Sequence, residues 1–141
     1  MNPLKKLYCR IFQNVFKFAL PFLPYRNPEI IGRLKEVPDV LKKKKCENVL
    51  IITVAGIHKL GLTDRLEKAL INSGISYILY DKTVANPTTE NVAEALELYH
   101  ENNCKAIIGF GGGSSMDCAK AVGARVAKPH QSLARMKGIL K

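Results

Sequence analysis

Hydrophobic residues recur at steps of three and four along the first part of the chain. They are Leu4, Leu7, Ile11, Val15, Phe18 and Phe22. Lysine and arginine residues fill positions between them, so the pattern predicts an amphipathic, basic helix that ends near Pro21 and Pro24. A helix of this kind could rest on a membrane surface, but it packs more often on its own protein or on a partner, and we expect packing here.

From residue 48 onward the pattern changes to short apolar runs separated by longer amphipathic stretches. Strands are predicted at 49–52, 75–80 and 105–110, and helices at 63–73, after the turn at 86–89, and at 115–127. Before them, two short helices are expected after Pro28, with Pro38 in the first turn of the second. Strand and helix alternate three times over short connections. This order predicts an α/β fold, a Rossmann-like parallel sheet with helices on both faces.

Three strands make a small sheet for a doubly wound fold, which ordinarily continues for several more strands. A further helix is predicted after Ser132, and the sequence reaches Lys141 soon afterwards. We therefore expect an incomplete domain whose sheet keeps an unpaired edge. Such an edge recruits other chains, so self-association, including a homo-oligomer, and poor solubility of the isolated chain are expected.

The net charge of +10 is unevenly distributed along the sequence. Residues 1–45 carry eleven Lys/Arg against three acids, residues 46–117 carry five against nine, and residues 118–141 carry six against none. The positive charge therefore belongs to the two ends, and the lysine run at 42–45 is interpreted as the cationic C-terminal end of a helix. This distribution argues against a nucleic-acid partner.

Other classes of protein are also disfavoured by residue spacing. Arg10, Lys17 and the two prolines interrupt the N-terminal apolar stretch, which is shorter than the roughly 18 residues of a membrane span and lacks a secretory cleavage pattern. We expect no membrane span and a cytoplasmic protein.

The scattered cysteines and histidines are Cys9, Cys46, Cys104 and Cys118, and His58, His100 and His130. Their spacing predicts isolated reduced thiols and no metal site.

Three consecutive glycines stand between the third predicted strand and the following helix. Without side chains, the backbone N–H groups of Gly112, Gly113 and Ser114 could approach a diphosphate closely, and the positive end of the helix would face the same oxygens. Ser114 and Ser115 add hydroxyl donors and favour a helix start. We therefore predict a dinucleotide pyrophosphate site here, with a purely structural glycine turn as the alternative.

The loop differs from the two commonest phosphate-binding motifs. No Gly-Lys-Ser/Thr closes it, which argues against a nucleoside-triphosphate hydrolase. Gly109 and Gly111 fit the first two positions of G-x-G-x-x-G, but Ser114 occupies the third, and the loop follows the third strand rather than the first. The sequence therefore predicts a phosphate site in a different topology.

Residues 111–120, Gly-Gly-Gly-Ser-Ser-Met-Asp-Cys-Ala-Lys, resemble the G-G-G-S-x-x-D-x-A-K signature of iron-containing alcohol dehydrogenases. Four further segments are similar to landmarks of that family in the family's order. They are Leu50-Ile51-Ile52-Thr53, Lys59-Leu60-Gly61-Leu62, Asn86-Pro87-Thr88 and Ala124-Arg125-Val126-Ala127. The resemblance covers most of residues 46–141, while residues 1–45 resemble only those members that have an extra helical start.

The resemblance implies a dehydroquinate-synthase-like N-terminal domain of a two-domain enzyme. Such an enzyme transfers hydride between NAD or NADP and a small alcohol or aldehyde, with Fe²⁺ or Zn²⁺ polarising the substrate oxygen. The cofactor-binding positions that it implies are Asn86, Gly112, Gly113, Ser114, Ser115 and Asp117. We accordingly divide the chain into a helical segment (1–45) and a partial NAD(P)-binding domain (46–141). The family's metal ligands, an Asp and three His, lie in a C-terminal helical domain that this sequence lacks, so we expect the chain alone to be inactive.

Two questions stay open at this stage. Family members commonly carry an Asp after the first strand's Thr to bind the adenosine ribose, and Val54 stands there, so the choice between NAD and NADP is undecided. The functional alternative is a stand-alone nucleotide-binding or partner-docking module that makes contact through its basic helix. A related chemistry, such as that of glycerol dehydrogenase or dehydroquinate synthase, is a third hypothesis, although Ser114-Ser115 and the Asn-Pro-Thr turn favour the alcohol branch.

Overall fold

A computed structural model describes residues 3–22 and 28–136. The chain forms two compact units, Met1–Ile30 and Ile31–Lys141. The first unit contains helix α1 (Pro3–Ala19) and a short 3-10 turn after it, so the predicted amphipathic helix is confirmed. Residues 137–141, at the end of the predicted partial domain, lie outside the described residues.

Helix α2 (Val37–Lys43) belongs to the second unit. Pro38 lies in its first turn, as predicted, where the missing N–H costs no helical hydrogen bond. Leu41 is buried in one cluster with side chains of the sheet's central strand. The sequence interpretation placed this helix in the segment 1–45, whereas its burial groups it with the α/β unit, which starts at Ile31.

Three strands form one parallel sheet in the order β2-β1-β3. They are β1 (Asn48–Ile52), β2 (Ser76–Tyr80) and β3 (Ala106–Gly109). Leu50 of the central strand is paired with Ile78 on one side and with Ile107 on the other. The predicted α/β class and parallel pairing are therefore confirmed.

Helices cover both faces of this sheet. They are α4 (Asp64–Asn72), α5 (Thr89–Glu101) and α6 (Gly113–Ala127). The short helix α3 (Ala55–Lys59) precedes α4, and 3-10 turns lie at Leu34–Glu36 and Leu133–Met136. Successive side chains of β1 point to opposite faces. Leu50 and Ile52 pack with α5 and α6, and Val49 and Ile51 pack with α2 and α4. All four are fully buried, and each contributes about 1.5–3 kcal/mol to stability.

Two elements differ from those predicted. Helix α3 was not expected, because five residues are too few to show a helical period and Gly56 disfavours a helix. Leu133–Met136, directly after Ser132, form a 3-10 turn, and the rest of the helix predicted there lies outside the described residues. The predicted end of α4 at Gly74 is confirmed, and this glycine has a left-handed φ of +72°. No helix within residues 3–22 and 28–136 has the length and apolar character needed to cross a membrane.

Candidate functional site

The carboxyl ends of all three strands lie at one edge of the sheet, because the strands are parallel. The chain leaving β1 continues through α3 into α4, which packs on one face. The chain leaving β3 enters α6, which packs on the opposite face. Neighbouring strands whose connections diverge in this way leave a crevice between them, and open α/β sheets bind ligands there. The candidate site therefore lies beyond the ends of β1 and β3.

The glycine loop lies at this crevice. The N–H of Phe110 donates to the carbonyl of Ile52 at 2.8 Å, which holds the start of the loop beside the end of β1. Gly112 is the N-cap residue of α6, and its carbonyl accepts a hydrogen bond from the N–H of Met116 at 3.2 Å. The helix therefore directs its positive, N-terminal end toward the crevice.

The backbone N–H groups of residues 111–115 donate to no acceptor in the part of the chain that the structure describes. No side chain caps α6 either. Several unsatisfied N–H groups at a helix N-terminus form a ready anion site. The structure thus brings Gly112, Gly113 and Ser114 together at this end of the helix, while their binding of a pyrophosphate stays a prediction.

The four glycines around the loop fall into two pairs. A Cβ on Gly109 would lie 2.9 Å from the Cβ of Ala119, and Gly111 has a φ of +128°, which other residues rarely adopt. Close strand-to-helix packing and the turn therefore require these two glycines. A Cβ on Gly112 or Gly113 would meet no atom within 4 Å. Packing does not explain this second pair, whose missing side chains leave the N–H groups open to a ligand.

The other predicted residues of the loop differ in exposure. Ser114 is half-buried in the first turn of α6. Ser115 is fully buried, and its hydroxyl, which lies beneath Gly111, has no hydrogen-bond partner among the described residues. Asp117 is exposed, and its Oδ1 lies 3.4 Å from Nζ of Lys120. Of these three residues, Ser114 and Asp117 present side chains to solvent, and Ser115 can offer its backbone N–H.

Asn86 lies in the loop between β2 and α5, at the same edge of the sheet. It is exposed and has a φ of +58°, a left-handed conformation that Asn tolerates better than most residues. No hydrogen bond within the described ranges joins its side chain to the glycine loop. The structure therefore places Asn86 on the same edge of the sheet as the glycine loop, and no hydrogen bond among the described residues joins it to the other predicted site residues, so its role stays a prediction.

Asn91 holds this loop in place and was not identified from the sequence. Its Oδ1 accepts a hydrogen bond from the N–H of Thr88 at 3.3 Å, and its Nδ2 donates to the hydroxyl of Tyr80 at 3.1 Å and the carbonyl of Lys82 at 3.2 Å. The Thr88 hydroxyl accepts from the N–H of Asn91 in return, which completes a capping box. The Thr-x-x-Asn spacing was the available signal in the sequence. It is a weak signal, because the usual capping box has Glu or Gln at the last position.

Polar contacts also join the ends of β1 and β2. Nδ1 of His58 lies 2.7 Å from Oδ2 of Asp81, and both side chains are partly exposed. Val54, where the resemblance led us to expect an Asp, is the N-cap residue of α3, and no side chain caps that helix. Its backbone pairs with Lys82 in an isolated antiparallel bridge. An acidic side chain at position 54 would therefore also cap α3.

Burial alters the titration of two groups near this edge. It raises the pKa of Tyr80 to about 12, an effect that Asn91 opposes and Glu94 reinforces. Burial also raises the pKa of the Cys118 thiol, an effect that the nearby Thr83 side chain opposes. Both groups are therefore neutral at physiological pH, and neither supplies a charge or a reactive thiolate to the site.

No group of three His, Cys, Asp or Glu side chains within the described ranges is arranged to hold a metal ion. The residues present therefore do not fit the iron or zinc that the family resemblance implies. None of the four cysteines is paired in a disulfide: Cys104 and Cys118 are buried, Cys46 is partly exposed and Cys9 is exposed.

Comparison with known proteins decides the family. The family model described as iron-containing alcohol dehydrogenase matches residues 30–140. The chain belongs to the iron-containing alcohol dehydrogenase family. Among its curated relatives, the long-chain primary alcohol dehydrogenase AdhA of Thermoanaerobacter ethanolicus is 42% identical over 109 residues, and the NAD-dependent methanol dehydrogenase of Bacillus methanolicus is 35% identical over 102 residues. The alignments cover 77% and 72% of this chain and 27% of each relative, so the chain spans about a quarter of their length.

Solved structures of this alcohol dehydrogenase family share the fold. A 1,3-propanediol oxidoreductase superimposes with a TM-score of 0.70 at 28% identity, and an NADH-dependent butanol dehydrogenase A from Thermotoga maritima with 0.65 at 30%. Each superposition covers 74% of this chain and 27% of the other. These matches confirm the resemblance drawn from the glycine signature and the assignment to the family's N-terminal α/β fold.

Proposed function

We propose that this chain binds the pyrophosphate of NAD or NADP at the N-terminus of α6, as the cofactor-binding part of an iron-containing alcohol dehydrogenase. The observation that supports this most directly is the set of N–H groups at residues 111–115, which have no acceptor among the described residues, together with the open space in front of Gly112 and Gly113. A hydrogen bond to a charged group contributes about 1.5–3 kcal/mol, so two or three such bonds can anchor a diphosphate.

In this proposal the N–H groups of Gly112, Gly113, Ser114 and Ser115 surround the pyrophosphate oxygens. The hydroxyl of Ser114 adds a further donor, because this side chain is only half-buried. The buried hydroxyl of Ser115 instead supports the turn beneath Gly111. The positive end of the helix favours the same anion and disfavours a neutral ligand.

Asp117 and Asn86 have different roles in the proposal. A carboxylate repels phosphate, so we assign Asp117 to accept a hydrogen bond from an uncharged part of the cofactor, such as a ribose hydroxyl. Asn86 projects from the β2–α5 loop, and its amide can donate to and accept from the cofactor once the crevice is filled. Asn91 positions that loop through its buried amide and does not itself touch the cofactor.

The complete enzyme would transfer hydride between NAD(P) and an alcohol or aldehyde in the cytoplasm. The nicotinamide supplies hydride chemistry when it is bound, and the residues of this chain orient it at the edge of the sheet. We assign residues 46–141, together with α2, to the cofactor-binding domain. Because the described residues do not fit a metal ion, we propose that the chain alone does not turn over substrate.

Calorimetric titration of the folded chain with ADP-ribose, NAD, NADP and AMP tests the binding proposal. ADP-ribose and the dinucleotides should bind, and AMP, which lacks a pyrophosphate, should bind much more weakly. If AMP bound as tightly as ADP-ribose, or if ADP-ribose did not bind to a folded chain, the pyrophosphate site would be wrong.

An activity assay tests whether the chain alone turns over substrate. The chain is incubated with NADH and a short aldehyde, with and without added Fe²⁺, and NADH oxidation is followed by absorbance. No turnover is expected from a chain that binds cofactor without a metal site. Sustained turnover would contradict the proposed inactivity.

A further inference from the structure

Helix α1 carries a continuous apolar surface that is exposed to solvent. We call it the α1 apolar face, and its members are Leu7, Tyr8, Ile11, Phe12, Val15 and Phe18, which are all exposed. The ring centroids of Tyr8 and Phe12 are 6.4 Å apart, so aromatic rings stack along the helix. Phe18 is 79% exposed, more than any other member. A contiguous apolar patch of this kind marks an interaction surface, in contrast to scattered exposed residues.

The opposite face of α1 is basic. Lys6, Arg10 and Lys17 are spaced by four and seven residues, which places them on one side of the helix, and all three are exposed. No acidic residue occurs before Glu29. Helix α1 therefore combines an aromatic, apolar face with a polar face that carries only positive charge. This combination is typical of helices that lie in the interface of an anionic membrane.

The boundary of the family match is an independent observation. The family model begins at residue 30, and the first compact unit ends at Ile30. Helix α1 therefore lies outside the region that the family model matches. A cationic, acid-free helix with exposed aromatic residues is complementary in charge and polarity to a surface of anionic lipid.

We propose that α1 docks the chain on the anionic lipid surface of a membrane. The helix lies in the plane of the interface, with the α1 apolar face among the upper acyl chains and Lys6, Arg10 and Lys17 among the headgroups. Each basic residue strengthens binding about fivefold through its attraction to anionic lipid. Docking of this kind leaves the glycine loop unchanged and does not depend on the cofactor proposal.

Vesicle sedimentation of the full chain tests this proposal. The chain should bind vesicles of equal parts phosphatidylglycerol and phosphatidylcholine, and bind phosphatidylcholine vesicles far more weakly. Lys6→Gln combined with Arg10→Gln should weaken binding about 25-fold, and Phe12→Ser combined with Phe18→Ser at least about tenfold. Raising the salt from about 0.1 M to about 1 M should weaken it as well. Matched controls on α4, Lys68→Gln and Ile71→Ser, should bind as the original chain does.

Fluorescence reports the depth of the helix. The chain contains no tryptophan, so Phe12→Trp introduces a single indole on the α1 apolar face. Its emission should shift to shorter wavelength with anionic vesicles, while that of Leu60→Trp, at an exposed position of the α/β unit, should not. A Phe12→Trp emission already shifted without vesicles would show that protein covers the face, in this chain or in a second copy, and would overturn the proposal. Unchanged binding by the α1 variants would overturn it too.

Discussion

Alanine substitutions at the four glycines of the loop should separate stability from ligand binding. Gly109→Ala brings a methyl group to 2.9 Å from the Cβ of Ala119, and overpacking of this kind costs about 1–3 kcal/mol. Gly111→Ala forces a side chain onto a φ of +128°, at a cost of about 1–3 kcal/mol. Domains of this size are stable by only about 5–15 kcal/mol, so each variant should melt several degrees lower.

Gly112→Ala and Gly113→Ala should behave in the opposite way. Neither methyl group meets an atom within 4 Å, so the fold tolerates both, and Gly113→Ala, within α6, should gain up to about 0.5–1 kcal/mol. Each methyl occupies the space in front of the N–H groups. Loss of one hydrogen bond to a charged phosphate corresponds to about 1.5–3 kcal/mol, or roughly a 10- to 150-fold weaker Kd.

The assay combines thermal unfolding, followed by circular dichroism, with calorimetric titration of ADP-ribose. Gly123→Ala is the matched control, because Gly123 lies inside α6, far along the helix from the loop. Its new methyl group would lie 4.0 Å from Cδ1 of Ile107, which is an ordinary van der Waals contact. It should stabilise the fold and leave the affinity unchanged. If Gly112→Ala and Gly113→Ala bound ADP-ribose as the original chain does, the N–H groups at this helix end would not be the diphosphate site.

Three further predictions concern a specificity position, an ionisable pair and the thiols. Val54→Asp should cap α3 and stabilise the chain by about 0.5–1 kcal/mol, and it should favour NAD over NADP, because a carboxylate accepts from a ribose hydroxyl and repels a 2′-phosphate. Val54→Asn should provide the stability alone, and equal NAD and NADP affinities in Val54→Asp would contradict the ribose role. The Tyr77 hydroxyl donates to Glu67 at 2.6 Å, and this bond raises the pKa of Tyr77 from 10.0 to about 12. The stability that the bond gives the folded chain is therefore complete below pH 10 and is lost as the pH rises toward about 12. Tyr77→Phe should therefore cost about 0.5–1.5 kcal/mol at neutral pH and flatten the loss of stability above pH 10 in urea titrations; an unchanged alkaline decline would refute the link. A thiol reagent should modify exposed Cys9 in the native chain. It should modify Cys104 and Cys118 only in urea, because both are buried and burial raises their pKa values. Fast reaction of all four cysteines in the native chain would contradict the buried core.

Local pattern was enough to predict the parallel sheet. The uninterrupted apolar run of β1 reflects burial on both faces, and Gly74 ends α4 because glycine adopts a left-handed φ easily. The grouping of α2 with the α/β unit could not be predicted in this way, because it depends on Leu41 meeting the central strand in three dimensions.

The candidate site could be predicted only in part, again because some of its contacts depend on the three-dimensional packing. The signature located the glycine loop, but Gly109 and Gly112 look alike in a sequence, and their different roles follow from the distance to Ala119. The buried hydroxyl of Ser115 depends on the same tight approach of helix and strand. Asn91 was not predicted because its importance comes from contacts with the end of β2, at Tyr80 and Lys82, as well as with Thr88, and a spacing rule does not reveal these contacts.

The central position of β1 also has a consequence for synthesis. This strand leaves the ribosome first, yet its neighbours, β2 and β3, are encoded well downstream, so its hydrogen-bonding edges stay unpaired in the nascent chain. An uncharged run of β-branched and leucine residues in that state invites association with other nascent chains. The lysine run at 42–45 lies just before the strand. Like charges beside an apolar strand oppose aggregation, so these lysines protect β1 until β2 and β3 have been synthesised and can pair with it.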